Sequence, residues 1–352
     1  MADLKRILTR LIEAAGVSGS EEPVAAVVES ELMRAGYTAS QIESDYIGNR
    51  WVRIAARDGG ATEVQRLLVA HMDEIGLRVT SIRPDGICRV QAVGGIDPQL
   101  WEGTPVVVHT SSGEIPGCIS PVSLHVTQRS NMGSSARLKI EELFLDVGVS
   151  NEADCRALGI DILDSVTWVK QLTPLANNLV QGRSLDDRFG CCALIALAER
   201  LNETPPPVPT VLAWSVQEEL GLRGARVLAE RFPLCREVIA VDSVTVGSGP
   251  RDNKQFDSVQ LGGGPAIRAW DATTMMPESS FREALTLAEQ IGVPLQYGFM
   301  QGGNDASVFE PSGARILGLG VPLAYSHSNV ERIHMGDLEQ LVELLAGWCH
   351  ES

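Results

Sequence analysis

The chain has 352 residues, of which 44% are hydrophobic and 21% charged, so it holds enough apolar material for a full core. This composition excludes a disordered chain and a disulfide-stapled miniprotein, and the length predicts about two domains. Acidic residues outnumber basic ones 45 to 29, and the net charge of −16 disfavours nucleic acid or an anionic membrane as a partner through long-range repulsion.

The seven cysteines are scattered and include no CxxC pair. This usage is typical of reduced thiols in a cytoplasmic protein and argues against a zinc ribbon. The N-terminal segment lacks the apolar core of a signal peptide, and no stretch approaches the roughly 18 apolar residues that a membrane span needs. The sequence therefore predicts a cytoplasmic protein without a membrane partner.

In chain order, the first predicted elements are two helices. Apolar residues between 4 and 12 recur at the spacing of an amphipathic helix, with Asp3 as a possible N-cap. A glycine-flanked turn at 17–19 ends this helix, and residues 22–35 favour a second one.

Four short apolar runs predict the strands of a buried sheet: 67–70, 211–213, 238–241 and 316–319. Helical patterns accompany several of these runs, notably at 191–201 and 337–348. Apolar runs interleaved with helices are typical of an α/β sheet whose central strands are buried on both faces.

Residues 79–169 follow a different pattern, with short alternating strands separated by glycine-containing turns and one short helix near 151–157. The predicted strands lie at 88–93, 105–109 and 143–147. We expect a small β-barrel-like domain here, inserted into an α/β domain made of residues 1–78 and 170–352.

Polar side chains that could bind or activate a ligand follow the ends of the apolar runs or begin a helix: His71, Asp73, Asp186, Glu218, Glu219, Asp242 and His327. Each has an ordinary structural explanation by itself, such as a local hydrogen bond or a solvated pair of acids. Ligands of open α/β sheets bind beyond the carboxyl ends of the strands, so the shared position of these residues favours one site.

Two histidines and several carboxylates are the ligand set of a dinuclear zinc, cobalt or manganese site. Two such ions share a bridging carboxylate and need an unligated carboxylate nearby, which acts as general base for the water between them. Neighbouring side chains at a strand end point in different directions, so one of Glu218 and Glu219 could bind metal while the other faces the water.

The sequence resembles the M42 metallo-aminopeptidases, the glutamyl/leucyl aminopeptidase group that includes the tetrahedral TET peptidases. The similarity covers nearly the whole chain and includes segments 70–76 (AHMDEIG), 185–188 (LDDR), 217–225 (QEELGLRGA), 302–306 (GGNDA) and 326–328 (SHS). The resemblance implies a mixed-sheet zinc-peptidase catalytic domain in the α/β class.

The resemblance also implies a role for each candidate ligand. His71 and Asp242 would bind one metal ion, Glu219 and His327 would bind the other, and Asp186 would bridge the two. The cofactors would be two divalent ions per subunit, zinc or cobalt and less expectedly manganese.

Glu218 would be the general base and acid. Asp73 would not bind metal itself but would hold in place the residues around the ion that His71 binds. The implied reaction is removal of the N-terminal residue from short peptides. The implied assembly is a homododecamer built from dimers, with the inserted domain shaping the oligomer.

Two positions depart from the family pattern: Asn304 stands where relatives commonly carry Thr, and Ala324 stands where they usually have Arg. We expect these departures to affect the substrate pocket or an interface. His109, His125, His334 and His350 are interpreted as structural or surface residues.

Two other functions remain open from the sequence. A glycoside hydrolase is one, because some relatives carry endoglucanase labels, but the 5% aromatic content and the commitment of the best carboxylates to metal disfavour it. A catalytically inactive assembly or binding protein is the other, and the complete ligand set argues against it.

Overall fold

The fold is known from a computed structural model that describes residues 2–59, 63–123, 125, 137–247, 249 and 258–351. The chain divides into two compact units. We call Met1–Glu74 with Gln171–Ser352 the α/β unit, and Ile75–Lys170 the barrel unit.

The α/β unit opens with two helices and three strands: α1 (Leu4–Glu13), α2 (Glu22–Arg34), β1 (Ile42–Ser44), β2 (Arg50–Ile54) and β3 (Arg66–His71). The apolar stripe of α1 is buried, and the side chain of Asp3 accepts a hydrogen bond from the Arg6 N–H at 3.0 Å. Both predicted N-terminal helices are therefore confirmed, including the N-cap of the first.

Among its described residues, the barrel unit has six strands and one α-helix: β4 (Gly76–Ile82), β5 (Cys88–Val93), β6 (Pro105–Thr110), β7 (Gly113–Ile119), β8 (Phe144–Asp146), α3 (Glu152–Ala157) and β9 (Ser165–Trp168). The strands close in the order β4-β5-β8-β7-β6-β9. Trp101 and Trp168 stack in the core with ring centroids 3.9 Å apart. The predicted barrel-like fold is confirmed.

After the barrel unit, the described part of the α/β unit has ten strands and four α-helices: β10 (Thr173–Pro174), β11 (Leu179–Gly182), α4 (Leu185–Glu203), β12 (Thr210–Ser215), α5 (Arg223–Arg231), β13 (Glu237–Val241), β14 (Val244–Thr245), β15 (Ala266–Trp270), α6 (Glu278–Ile291), β16 (Gln296–Phe299), β17 (Arg315–Gly320), β18 (Pro322–Leu323), β19 (Glu331–His334) and α7 (Met335–His350).

Eight strands form a mixed sheet in the order β1-β2-β12-β3-β13-β17-β15-β16. The four central strands β12, β3, β13 and β17 are parallel, so their carboxyl ends meet at one edge. Alternate residues of these strands pack against α1, α2, α4 and α7 on one face and against α5 on the other. Burial on both faces explains why these strands read as continuous apolar runs.

Within the described ranges, the structure contains no helix that is both long enough and apolar enough to cross a lipid bilayer.

Candidate metal centre

A cavity of about 370 Å³ lies in the α/β unit and is lined by six of the seven predicted site residues: His71, Asp186, Glu218, Glu219, Asp242 and His327. His71 is the last residue of β3, and Asp242 immediately follows β13, its parallel neighbour. The strand order therefore places two candidate ligands side by side. A larger cavity of about 520 Å³ elsewhere in this unit contains none of the predicted residues.

The candidate ligand atoms lie close enough to share ions. His71 Nε2 is 3.4 Å from Asp186 Oδ1, and His327 Nε2 is 3.1 Å from Glu219 Oε1. Potential ligand atoms of His71, Asp186 and Asp242 all lie within 4.8 Å of one another, as do those of His71, Glu218 and Glu219. A divalent ion needs several donors at such mutual distances.

The Glu218–Glu219 pair lies in a turn rather than at the strand end expected from the sequence. Strand β12 stops at Ser215, and Gln217 has a φ of 54°. The alternation of a strand therefore does not orient the two glutamates. Turn geometry brings a carboxylate atom of each within reach of His71, so position alone does not separate a metal ligand from a base.

Asp73 lies behind the cavity, fully buried. Its Oδ1 accepts the main-chain N–H of Glu218 at 2.9 Å, and its Oδ2 accepts that of Glu219 at 3.1 Å. The hydroxyl of Ser18 donates to Oδ2 at 2.5 Å. One carboxylate thus fixes the backbone of both glutamates.

His71 is oriented through its other ring nitrogen. Its Nδ1 lies 3.1 Å from the carbonyl oxygen of Asp73 and 3.5 Å from Asp73 Oδ1, so a proton on Nδ1 is donated toward Asp73. This contact leaves Nε2 facing the cavity, the arrangement in which a histidine binds metal through one nitrogen and is held through the other.

Asp186 lies in the first turn of α4, where its backbone departs from helical geometry (φ −78°, ψ 106°). Its Oδ2 accepts a hydrogen bond from the hydroxyl of Ser243 at 2.9 Å. The next residue, Asp187, accepts the main-chain N–H groups of His71 and Gly190 at 3.2 and 3.1 Å. Asp187 therefore orders the start of the helix and does not line the cavity.

Sequence reasoning missed Glu331, which is buried beside the site in β19. Its Oε2 accepts the Asp186 N–H at 3.1 Å, and its Oε1 accepts the His327 N–H at 2.8 Å. Glu331 therefore joins two loops that carry candidate ligands. An acid four residues after His327 is its only local signal in the sequence.

The pKa shifts show how the crowded carboxylates compete for protons. Burial raises the pKa of Glu218 well above its ordinary value and also raises that of Asp242. Burial would also raise the pKa of Asp186, but its contact with His71 prevails and lowers it. Burial opposes protonation of His71, yet the Asp186 and Asp73 carboxylates outweigh it and hold the pKa of His71 well above its usual range.

The donor set fits divalent cations. Four carboxylates and two imidazoles line the cavity, and among its described lining residues Arg268 is the single arginine or lysine. Clustered buried carboxylates repel one another unless protons or cations compensate them. Oxygen and imidazole donors together suit zinc, cobalt or manganese.

The two residues that depart from the family pattern, Asn304 and Ala324, are not among the described residues that line this cavity. Asn304 is fully buried, and its Oδ1 accepts the Ala306 N–H at 3.0 Å. Ala324 is buried in an apolar cluster with Val244 and Val246. Their expected effect on the substrate pocket or an interface therefore stays a prediction. The four histidines interpreted as structural or surface residues also lie outside its lining.

Comparison with known proteins places the chain among peptidases. A family model described as M42 glutamyl aminopeptidase matches residues 53–344. The lysyl aminopeptidase of Pyrococcus furiosus is 29% identical over 98% of this chain and 96% of its own length. The glutamyl aminopeptidase of Lactococcus lactis subsp. cremoris is 29% identical over 94% and 91%, respectively.

The fold is similar to that of the solved TET1 peptidase of Pyrococcus horikoshii, with a TM-score of 0.88 and 32% identity. The similarity covers 99% of this chain and 100% of that one. That peptidase can assemble into a tetrahedron or a large octahedral shell.

Proposed function

The chain belongs to the M42 glutamyl aminopeptidase family and is a peptidase, and on that premise we propose that it is a metal-dependent aminopeptidase acting on short peptides. The observation that supports this proposal is the convergence of the six acidic and imidazole side chains on one cavity.

We assign two divalent ions to the cavity, with zinc and cobalt as the first candidates and manganese as the third. His71 and Asp242 would hold one ion, Glu219 and His327 the other, and Asp186 would contribute to both. The 3.4 Å approach of His71 to Asp186 and the 3.1 Å approach of His327 to Glu219 support this pairing.

Bound divalent ions would supply Lewis acidity at the scissile carbonyl and lower the pKa of water at the site. Glu218 takes the proton from the attacking water and delivers it to the leaving amine. Its burial supports this role, because a raised pKa suits a carboxylate that must hold a proton near neutral pH. Asp73 keeps Glu218 in place through the hydrogen bond to its main chain.

Membership of this family also suggests an oligomeric state for the protein. We propose a homo-oligomer, a dodecamer built from dimers, in which the barrel unit shapes the contacts between subunits. The tetrahedral assembly of the Pyrococcus horikoshii TET1 peptidase supports it. Light scattering should give a mass about twelve times that of the 37.9 kDa chain, and an active monodisperse monomer would contradict the proposal.

The other two functions are less well supported. A glycoside hydrolase would need two carboxylates free of metal, whereas we assign three of the four carboxylates of this cavity to metal ions. A catalytically inactive protein would not need the full set of candidate metal ligands. It would also not need buried Asp73, which holds the main chain of Glu218 and Glu219.

The decisive test is hydrolysis of a panel of aminoacyl p-nitroanilides by protein treated with chelator and then reloaded with zinc or cobalt. We expect activity to disappear on chelation and to return on reloading, with two ions bound per chain by elemental analysis. His327→Ala should reduce that number to about one. Cleavage of cellulose chains without peptidase activity, or full metal loading without turnover, would refute the proposal.

A further inference from the structure

Arg268 is a cation in the wall of a cavity that is proposed to hold cations. It lies in β15, and its side chain is 3% exposed. Its Nη1 donates to Oδ2 of Asp242, and its Nη2 donates to the carbonyl oxygen of Gly303 at 2.7 Å. A buried guanidinium beside a metal position repels the ion, so its presence needs a compensating role.

The far side of the guanidinium is held by a second buried acid. Arg268 Nε lies 3.0 Å from Asp271 Oδ2, and Asp271 Oδ1 accepts the N–H groups of Thr273 and Thr274 at 2.8 and 2.7 Å. The side-chain amide of Asn304 donates to Asp271 Oδ2 at 2.7 Å. Asp271 therefore has contacts on both oxygens that leave it one orientation.

We propose that Arg268 is a positioning residue that fixes the carboxylate of Asp242, and that Asp271 and Asn304 hold Arg268 in place for this task. The inference rests on the proposed function, because Asp242 is there assigned to the ion it would share with His71. Asp242 Oδ1 accepts the Ser243 N–H at 2.6 Å while Oδ2 bonds Arg268, so the carboxylate is anchored at both oxygens. Such outer contacts to a ligand raise metal affinity by fixing its orientation before the ion arrives.

Asn304 supports this arrangement through both atoms of its side-chain amide group. Its Oδ1 accepts the Ala306 N–H at the start of the 3₁₀ segment Asp305–Ser312, while its Nδ2 donates to Asp271 and to the Thr274 hydroxyl. The amide oxygen thus caps the 3₁₀ segment, while the amide nitrogen independently holds Asp271. A threonine at this position would have one hydroxyl for the same two contacts.

The test is a cobalt titration of metal-free protein, followed by the visible absorption of bound Co²⁺, for wild type and Arg268→Lys. Lysine keeps the charge, but its single ammonium cannot contact Asp242, Asp271 and Gly303 together. We expect the affinity for one of two cobalt ions to fall about 10–100-fold, with a changed visible spectrum at that position. The kcat measured at saturating cobalt should fall less than the affinity does.

Arg66→Lys is the matched control. Arg66 pairs with Glu237 in an equally buried ion pair, with side-chain exposures of 8% and 9%, and neither residue lines the cavity. This variant should lose stability on heating as Arg268→Lys does, while its cobalt titration and spectrum stay those of wild type.

Asn304→Ser is the second variant, because serine keeps an N-cap oxygen for Ala306 but cannot replace the amide contact to Asp271. We expect about a 3–10-fold loss of affinity for the same cobalt ion. If Arg268→Lys fails to fold, the cobalt affinity of Asn304→Ser tests the positioning role instead. Wild-type affinity and spectrum in the folded variants would overturn the positioning role alone, whereas a wild-type protein that binds no cobalt would overturn the proposed function with it.

Discussion

The two compact units differ in what they bury. Among the described residues of the barrel unit, the buried polar side chains are Ser165 and Thr167, and the core is otherwise apolar. In the part that the structure describes, the α/β unit buries one histidine together with several acids and arginines, and among them His71 and Asp242 lie at the carboxyl ends of its central strands. Burying charge costs stability unless it is compensated, so the α/β unit retains groups that folding alone would not select.

This contrast separates residues kept for chemistry from residues kept for packing. In the barrel unit the rings of Trp101 and Trp168 stack, and the hydroxyl of Thr167 lies within hydrogen-bonding distance of His109 Nε2, at 2.9 Å. In the α/β unit, by contrast, the side chain of Glu218 lines the cavity rather than packing in an apolar core. We therefore expect substitutions in the two units to affect different measurements.

The largest effect should come from Glu218→Gln. Glutamine keeps the size and hydrogen-bonding capacity of the side chain but removes the base, so kcat should fall about 10²–10⁴-fold with little change in KM or metal content. Glu219→Gln should instead lose metal, and excess metal should partly restore its activity. Near-normal turnover of Glu218→Gln, or metal loss in that variant alone, would reverse the roles assigned within the pair.

Leu145→Ala should give the opposite profile. Leu145 is fully buried in the barrel core, and such truncations cost about 2–5 kcal/mol through lost transfer energy and the cavity left behind. Hydrogen exchange of peptides from residues 75–170 should show faster opening, while the metal content stays at the wild-type value. Ile162→Ala, at a side chain 43% exposed, is the control and should change exchange little.

Metal binding should stabilise the α/β unit selectively. An ion that binds only the folded state adds about 2.7 kcal/mol when its concentration is 100 times the dissociation constant. Exchange of peptides around His71 and Asp186 should slow on adding zinc or cobalt, and exchange within the barrel unit should not. Equal slowing in both units would contradict a selective stabilisation of the α/β unit.

The smallest effect concerns the pH dependence of the barrel unit. Burial, with a contribution from Lys170, lowers the pKa of His109 to about 4, against about 6.5 in an unfolded chain. Between these values the unfolded state binds a proton that the folded state does not. Stability from this histidine is therefore complete above about pH 6.5 and falls as the pH is lowered towards 4, by about 2 kcal/mol between pH 7 and 5.

His109→Gln should flatten this part of the stability profile, measured by denaturant unfolding at several pH values. The neighbouring Glu114 carboxylate acts in the opposite direction, favouring the protonated imidazole. Glu114→Gln should therefore steepen the acid-side loss. An unchanged profile in His109→Gln would show that His109 does not control acid sensitivity.

Much of the architecture could be predicted because it depends on local patterns. The four central strands are continuous apolar runs since both sheet faces are covered, and their polar successors, such as His71 and Asp242, mark the strand ends. The barrel strands showed alternation and glycine turns. These signals need only neighbours along the chain.

The arrangement of the Glu218–Glu219 turn was beyond such reasoning. Its orientation depends on Asp73, a residue 145 positions away from Glu218, and on the left-handed backbone of Gln217. Glu331 escaped notice for a similar reason, since it contacts Asp186 across 145 positions. Its role is visible only once β19 is paired with β11.

The sequence by itself determined the α/β and barrel composition, the family, and the residue types available at the strand ends, because periodicity and motif order are properties of the chain. Only the tertiary structure decided which side chains hold the others in place: Asp73 under the glutamate turn, Glu331 between two loops, and Arg268 against Asp242. The physical reason is that hydrogen-bond and ion-pair geometry depends on strand order and loop conformation. These bring together residues far apart in sequence, and no local pattern encodes their distances.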